Sequence, residues 1–112
     1  MDQRNEVTVL GAGPAGIAAA IYLKRAGLHP VVFEKQQPGG LLRHAHLVEN
    51  YPGFPHGITG MNLADLFVQH LRRCKVPLVK AEVTRVDHKN DAFIIRRAVS
   101  YTHLTLPTKR IV

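Results

Sequence analysis

Two short apolar runs flank a helical stretch in the first third of the chain. Residues 6–10 (EVTVL) are rich in β-branched side chains and stop at a glycine, which predicts a buried strand. Residues 14–26 follow, rich in Ala, Ile and Leu, with Ile17, Ala20, Ile21 and Lys24 at helical spacing. Pro14 suits the first helical position, where its missing N–H would have no partner. Gly27 is placed to end that helix in the left-handed conformation. Residues 31–34 (VVFE) read as a second short strand. Strand, helix and strand within about thirty residues predict a βαβ unit with parallel strands and a right-handed crossover.

From residue 36 to residue 60 the pattern breaks. Pro38, Gly39, Gly40, Pro52, Gly53, Pro55, Gly57 and Gly60 argue for a loop, with one helical turn near residues 41–44. A long loop inside a compact domain is usually functional. Leu63, Leu66, Phe67, His70, Leu71 and Cys74 then fall at i, i+3, i+4, i+7, i+8 and i+11, one face of an amphipathic helix. Cys74 is expected on its buried side as a small hydrophobe, and His70 as a packed or rim residue. Residues 76–80 (VPLVK) predict a third parallel strand, and residues 82–87 and 92–97 a hairpin around Lys89-Asn90-Asp91. The expected fold class is α/β: a Rossmann-like βαβ unit with a parallel sheet plus a β-hairpin, in an incomplete domain.

Composition changes this picture little. A chain of 112 residues suffices for one domain. Its formal charge of +7 comes from scattered residues such as Arg4, Lys24, Arg25, Arg43 and Lys89. No stripe of basic and aromatic side chains follows, as a single-strand binder needs, so no nucleic-acid partner is expected. The one cysteine, Cys74, excludes an internal disulfide framework, a Cys-rich zinc site and a Cys-x-x-Cys redox pair within these residues. The N-terminus carries Asp2, Arg4 and Glu6 in place of a basic-then-apolar leader. No apolar stretch reaches the ~18–20 residues of a membrane span. The expectation is a cytoplasmic protein with no membrane or metal partner.

Gly11-Ala12-Gly13-Pro14-Ala15-Gly16 matches G-x-G-x-x-G between a predicted strand and a predicted helix. Gly11 permits the tight turn, Gly13 lets the backbone approach a pyrophosphate, and Gly16 lets helix and strand pack closely. The start of the helix, at Pro14 and Ala15, would meet the phosphates with unpaired N–H groups and the positive end of its dipole. Glu34 ends the second strand, 18 residues after Gly16. A carboxylate there can accept hydrogen bonds from both adenosine ribose hydroxyls and repels a 2′-phosphate, so FAD or NAD is expected and NADP is not. Lys35, beside it, is counted among the cofactor contacts.

The βαβ unit does not choose between FAD and NAD, but the following segment does. Residues 9–28 (VLGAGPAGIAAAIYLKRAGL), 38–42 (PGGLL), 48–55 (VENYPGFP) and 57–60 (GITG) together resemble the thioredoxin-reductase-like, FAD-dependent pyridine nucleotide-disulfide oxidoreductases. The resemblance runs to about Arg97. It implies that Gly39, Gly40 and Leu41 bring backbone close to the flavin and its pyrophosphate. Asn50 would hydrogen-bond the isoalloxazine ring, and Val83 would offer main-chain groups to the adenine. It also implies a parent enzyme that passes electrons from NAD(P)H through FAD to a disulfide, on a thioredoxin-like protein, or to another acceptor. Leu41 stands where such reductases often carry Gln, which hints at an acceptor other than thioredoxin. His44 and His46 lie near this point, where a loop histidine is more often solvated than catalytic.

The second dinucleotide domain, the redox Cys-x-x-Cys and the late FAD segment of that family are not found in these residues. No catalytic residue is therefore assigned. A homodimeric parent is compatible with flavin chemistry, though no residue pattern shows one. Strand edges beside the centre of the sheet are expected to lie open, leaving the isolated chain marginally stable and weak in FAD binding. A stand-alone dinucleotide-binding module without redox activity is the alternative. Residues 99–112 (VSYTHLTLPTKRIV) could form a strand, but they resemble read-through tails of fragmentary gene models. The expected division is 1–98 as the N-terminal part of the FAD/NAD(P)-binding domain and 99–112 as a non-native tail.

Overall fold

The computed structural model of the chain describes residues 5–98 and 103–112. Its first elements are β1 (Asn5–Leu10), α1 (Pro14–Arg25) and β2 (Pro30–Glu34). β1 and β2 run parallel, in register from Val7↔Pro30 to Leu10↔Phe33, so the predicted βαβ unit is present. Gly27, at φ +90, takes the left-handed position after the helix. A 3-10 turn at Gly40–His44 interrupts the long loop, and α2 (Gly60–Arg73) follows. β3 (Leu78–Lys80) lies parallel to β2, and β4 (Val83–Lys89) forms an antiparallel hairpin with β5 (Ala92–Ala98). β6 (His103–Ile111) completes one mixed sheet in the order β3-β2-β1-β6-β5-β4.

Alternation along the strands sorts the core onto two faces. Val7, Val9 and Val32 meet Ile17 and Ala20 of α1 and Val68 and Leu71 of α2 on one side. Val31 and Phe33 meet Ile95 on the other. Strands covered on both faces read as continuous apolar runs, which is why the second strand showed no polar alternation. At about 1.5–3 kcal/mol for each fully buried aliphatic side chain, the helix-side cluster dominates the stability of the unit.

Two expectations need correction. The buried face of α2 consists of Gly60, Leu63, Ala64, Val68 and Leu71, whereas Leu66 is 43% exposed and His70 is exposed as well. The segment from Gly39 to Ala45 packs on the side of Gly60 and Ala64, where a built Cβ on Gly60 would collide with the Leu42 carbonyl. That segment draws the covered face away from Leu66 and His70. Cys74 is half-buried and caps the helix. The second correction concerns the edge of β1, which is not open. β6 pairs with it in parallel at Asn5↔Thr108, Val7↔Arg110 and Thr8↔Ile111. Leu10 N–H donates to the Val112 carbonyl and Val112 N–H to that of Thr8, both at 2.8 Å. The outer strands are β3 and β4.

Two local devices give stability predictions. Thr59 caps α2, its Oγ1 accepting the Asn62 N–H at 3.1 Å. Thr59→Ala is expected to lower stability by about 1 kcal/mol, read as an earlier thermal unfolding midpoint. The β4–β5 turn places Asn90 at φ 53 and Asp91 at φ 60, between the paired Lys89 and Ala92. Two successive positive φ values define the hairpin turn that favours Asn-Gly. Asp91→Gly is expected to raise stability by about 0.5–1 kcal/mol, by the same measurement.

Candidate dinucleotide site

The site is built at the junction of β1 and α1. Gly11 leaves the strand at φ +102, and its N–H donates to the Phe33 carbonyl at 2.8 Å. Gly13 is the extended N-cap of α1 and has no side chain to cap it; its carbonyl accepts the Ile17 N–H at 2.9 Å. The first N–H groups of a helix have no intrahelical partner, Pro14 has no N–H to offer, and no acidic side chain sits in the first turn. Pro14 and Ala15 are exposed. A Cβ built on Gly13 meets nothing within 4 Å, whereas one on Gly16 would collide with the Gly11 carbonyl and lie 3.3 Å from Val9 Cγ1. Gly16 therefore serves the packing of the protein itself, while Gly13 faces open space.

Glu34 points back at this junction. Its Oε1 accepts the Ala12 N–H at 2.8 Å and its Oε2 accepts the Gln36 N–H at 2.9 Å. These two backbone donors fix the carboxylate, and each oxygen retains a further lone pair for another donor. A cleft of about 560 Å³ opens beside it, lined by Gly11, Glu34, Lys35, Val83, Thr84 and Arg85 among others. Arg85, which lines the cleft, donates through its Nε to Asp87 at 2.9 Å, and Asp87 also accepts from Arg96 Nε at 3.3 Å. The hydrogen bond from Arg85 is the main reason that the Asp87 carboxyl titrates below its usual range.

A second glycine segment closes over the first. Gly39 and Gly40 have φ +113 and +66, and the Gly39 N–H donates to the Ala12 carbonyl at 2.6 Å. A Cβ built on Gly40 would stand 3.1 Å from Gly13 Cα. The two glycine turns thus pack backbone to backbone. Beyond them, Val48 and Ile58 exchange N–H···O bonds of 2.7 and 2.9 Å, closing the loop that carries Asn50. Tyr51 fixes that loop to α2, its ring edge-on to Phe67 at 5.4 Å.

Of the residues singled out from the sequence, Gly11, Gly13, Pro14, Ala15, Gly16, Glu34, Gly39 and Gly40 gather around one junction. Lys35 and Val83 line the adjoining cleft. Asn50 and Leu41 are exposed, Leu41 by 85%. His44 and His46 are exposed too. Sequence reasoning missed Thr84 and Arg85 in the cleft, because a hairpin strand gives no sign of which dinucleotide turn it flanks. It also missed Arg43 and Asp65, which pair at 2.7 Å across 22 residues of sequence. No periodicity links such distant positions. Among the described residues no cluster of His, Cys, Asp or Glu could hold a metal, and no helix is long and apolar enough to cross a membrane.

A glycine turn between strand and helix, with a carboxylate from the next strand folded over it, defines a dinucleotide-binding α/β unit. The pyridine nucleotide-disulphide oxidoreductase family matches residues 5–112, and the chain belongs to that family. It is 42% identical over 90 residues to a thioredoxin reductase of Mycoplasma genitalium, covering 80% of this chain and 28% of that protein. It is 33% identical over 121 aligned positions to a glucosaminate ammonia-lyase of Pseudomonas fluorescens, covering 96% of this chain and 38% of that one. The crystal structure of T. acidophilum thioredoxin reductase superimposes with a TM-score of 0.86 at 32% identity, over 98% of this chain and 34% of the other. The chain thus spans between 28% and 38% of the length of these proteins.

Proposed function

We propose that this chain supplies the ADP half of an FAD site in a flavin-dependent NAD(P)H oxidoreductase resembling thioredoxin reductase. The observation that carries the reading is the Glu34 carboxylate held at the glycine turn by the Ala12 N–H. The residues fit the group: Gly13 faces open space at a helix start bare of acidic side chains, where a diphosphate needs backbone approach. The Glu34 oxygens would take the ribose hydroxyls, Val83 and Lys35 would flank the adenine, and Gly39, Gly40 and Leu41 would face the flavin end. Asn50 would offer its amide to the ring, on the loop that Tyr51 holds to α2. FAD, when bound, supplies the two-electron chemistry that links NAD(P)H to a disulfide or another acceptor.

The acceptor is left open between a thioredoxin-like protein and another molecule. A relative named as an ammonia-lyase carries the same stretch, so these residues speak for a cofactor half-site and not for an acceptor. A homodimeric, cytoplasmic parent agrees with this reading; the one cysteine, Cys74, is free. The division at residue 98 is likewise a proposal. Pro107 stands opposite Ile94 inside β6, whereas proline is otherwise confined to edges, strand starts and bulges. Amplifying the gene from its source and reading past the Arg97 codon tests that division.

The test of function uses the complete reading frame that contains this chain. The purified protein is expected to hold FAD, identified after acid release, and to bleach under anaerobic NADPH or NADH. Purification without flavin, together with binding of NAD at Glu34, would favour a dinucleotide module without redox activity.

A further inference from the structure

Gly39 and Gly40 pack against the glycine turn of residues 11–16. Both residues carry no side chain, Gly39 at φ +113 and Gly40 at φ +66, and the Gly39 N–H ties them to the turn through the Ala12 carbonyl. Arg43 adds a side-chain tie to this strap. The 3-10 turn at Gly40–His44 brings its side chain back beneath the start of the strap, where Nε donates to the Pro38 carbonyl at 2.6 Å. Nη1 meets Asp65 Oδ1 of α2 at 2.7 Å. The Arg43 side chain is only 11% exposed, while Asp65 is 52% exposed. A Cβ built on Gly39 would lie 2.7 Å from Arg43 Nε and 2.9 Å from Ala64 Cβ. The guanidinium therefore occupies the room that a side chain at position 39 would need.

We infer that Arg43 is a positioning residue for the flavin-side strap: by tying the Pro38 carbonyl to Asp65 it sets the approach of Gly40 to Gly13 and so the passage left for the cofactor. This rests on the FAD reading of the site. The bland alternative is an ordinary surface ion pair, worth ~0–1 kcal/mol. Two features oppose it: most of the arginine side chain is covered, and its second partner is a neutral carbonyl. Guanidinium N–H groups sit in a fixed fork and reach both acceptors at once, whereas an ammonium is a compact point charge. The arrangement thus selects arginine over lysine.

The test measures FAD dissociation constants and visible flavin spectra for the complete protein and its Arg43→Ala, Arg43→Lys and Asp65→Ala variants. Arg43→Ala is expected to weaken FAD at least about tenfold, the order expected for charge-assisted hydrogen bonds, and to alter the shape of the flavin band. Arg43→Lys is expected to show a loss of the same order despite its charge, and Asp65→Ala a smaller loss in the same direction. If Arg43→Ala does not fold, the other two variants decide. Unchanged affinity and spectrum in the variants, even with lowered thermal stability, would overturn the inference, as would full rescue by lysine. Failure of the unmutated protein to hold FAD would remove the reading of the site and this inference with it.

Discussion

Gly16→Ala is expected to cost at least about 3 kcal/mol of stability and to abolish FAD binding by the protein that contains this chain. The added methyl would collide with the carbonyl of Gly11 and stand 3.2 Å from its carbonyl carbon and 3.3 Å from Val9 Cγ1. Gly11 cannot yield freely. Its N–H is bonded to the Phe33 carbonyl. Val9 is fully buried in the helix-side core. Relief has to come from lifting α1 away from β1, which moves the helix start that would receive the diphosphate. Thermal unfolding and a flavin titration measure the two effects. Gly13→Ala is the control: its methyl meets no protein atom within 4 Å, so it should cost only the small loss of a poorer N-cap residue, far less than Gly16→Ala, while obstructing the cofactor. A Gly16→Ala protein with normal stability and normal flavin would refute the packing role.

Glu34→Gln is expected to weaken FAD by about 10- to 100-fold, the order of one or two charge-assisted hydrogen bonds. The carboxylate accepts from Ala12 and from Gln36, one N–H on each oxygen. An amide has only one oxygen, so one of those donors would face an NH₂ group whichever way the side chain is turned. The lost charge also removes the repulsion of a 2′-phosphate. Competition by ADP-ribose and by its 2′-phosphorylated form should therefore shift toward the latter in the variant. Glu34→Ala is the harsher change. Ala12 is fully buried, and losing the acceptor for its N–H leaves a buried donor unpaired, at about 1–3 kcal/mol. Equal discrimination between the two ligands before and after Glu34→Gln would remove Glu34 from the ribose site.

The βαβ unit was legible because its signals are local: a β-branched run, a glycine turn, Pro14 at the helix start and Gly27 at its end. The hairpin was legible for the same reason, with Asn90 and Asp91 filling the two positions that require positive φ. The α2 face was misjudged at Leu66 and His70, since an apolar stripe cannot tell which flank another segment will cover; here the strap from Gly39 takes the Ala64 side. The open strand edges expected beside the centre of the sheet do not occur at β1, because its pairing with β6 at Asn5↔Thr108 is a contact across nearly the whole chain. Within the site, the glycines and Glu34 carry a spacing that chemistry dictates. Arg43, Asp65 and Arg85 do not: their places follow from tertiary closure and leave no periodic trace.

In this reading the junction from Gly11 to Gly16 receives a diphosphate while Glu34 holds the neighbouring ribose. A crystal structure of the complete protein with FAD bound tests this most directly. The expected result is ribose hydroxyl oxygens about 2.5–3.0 Å from the Glu34 carboxylate, the diphosphate over Gly13 at the start of α1, and the adenine beside Val83. Adenosine bound elsewhere, or a Glu34 carboxylate with no ribose hydroxyl in reach, would contradict it.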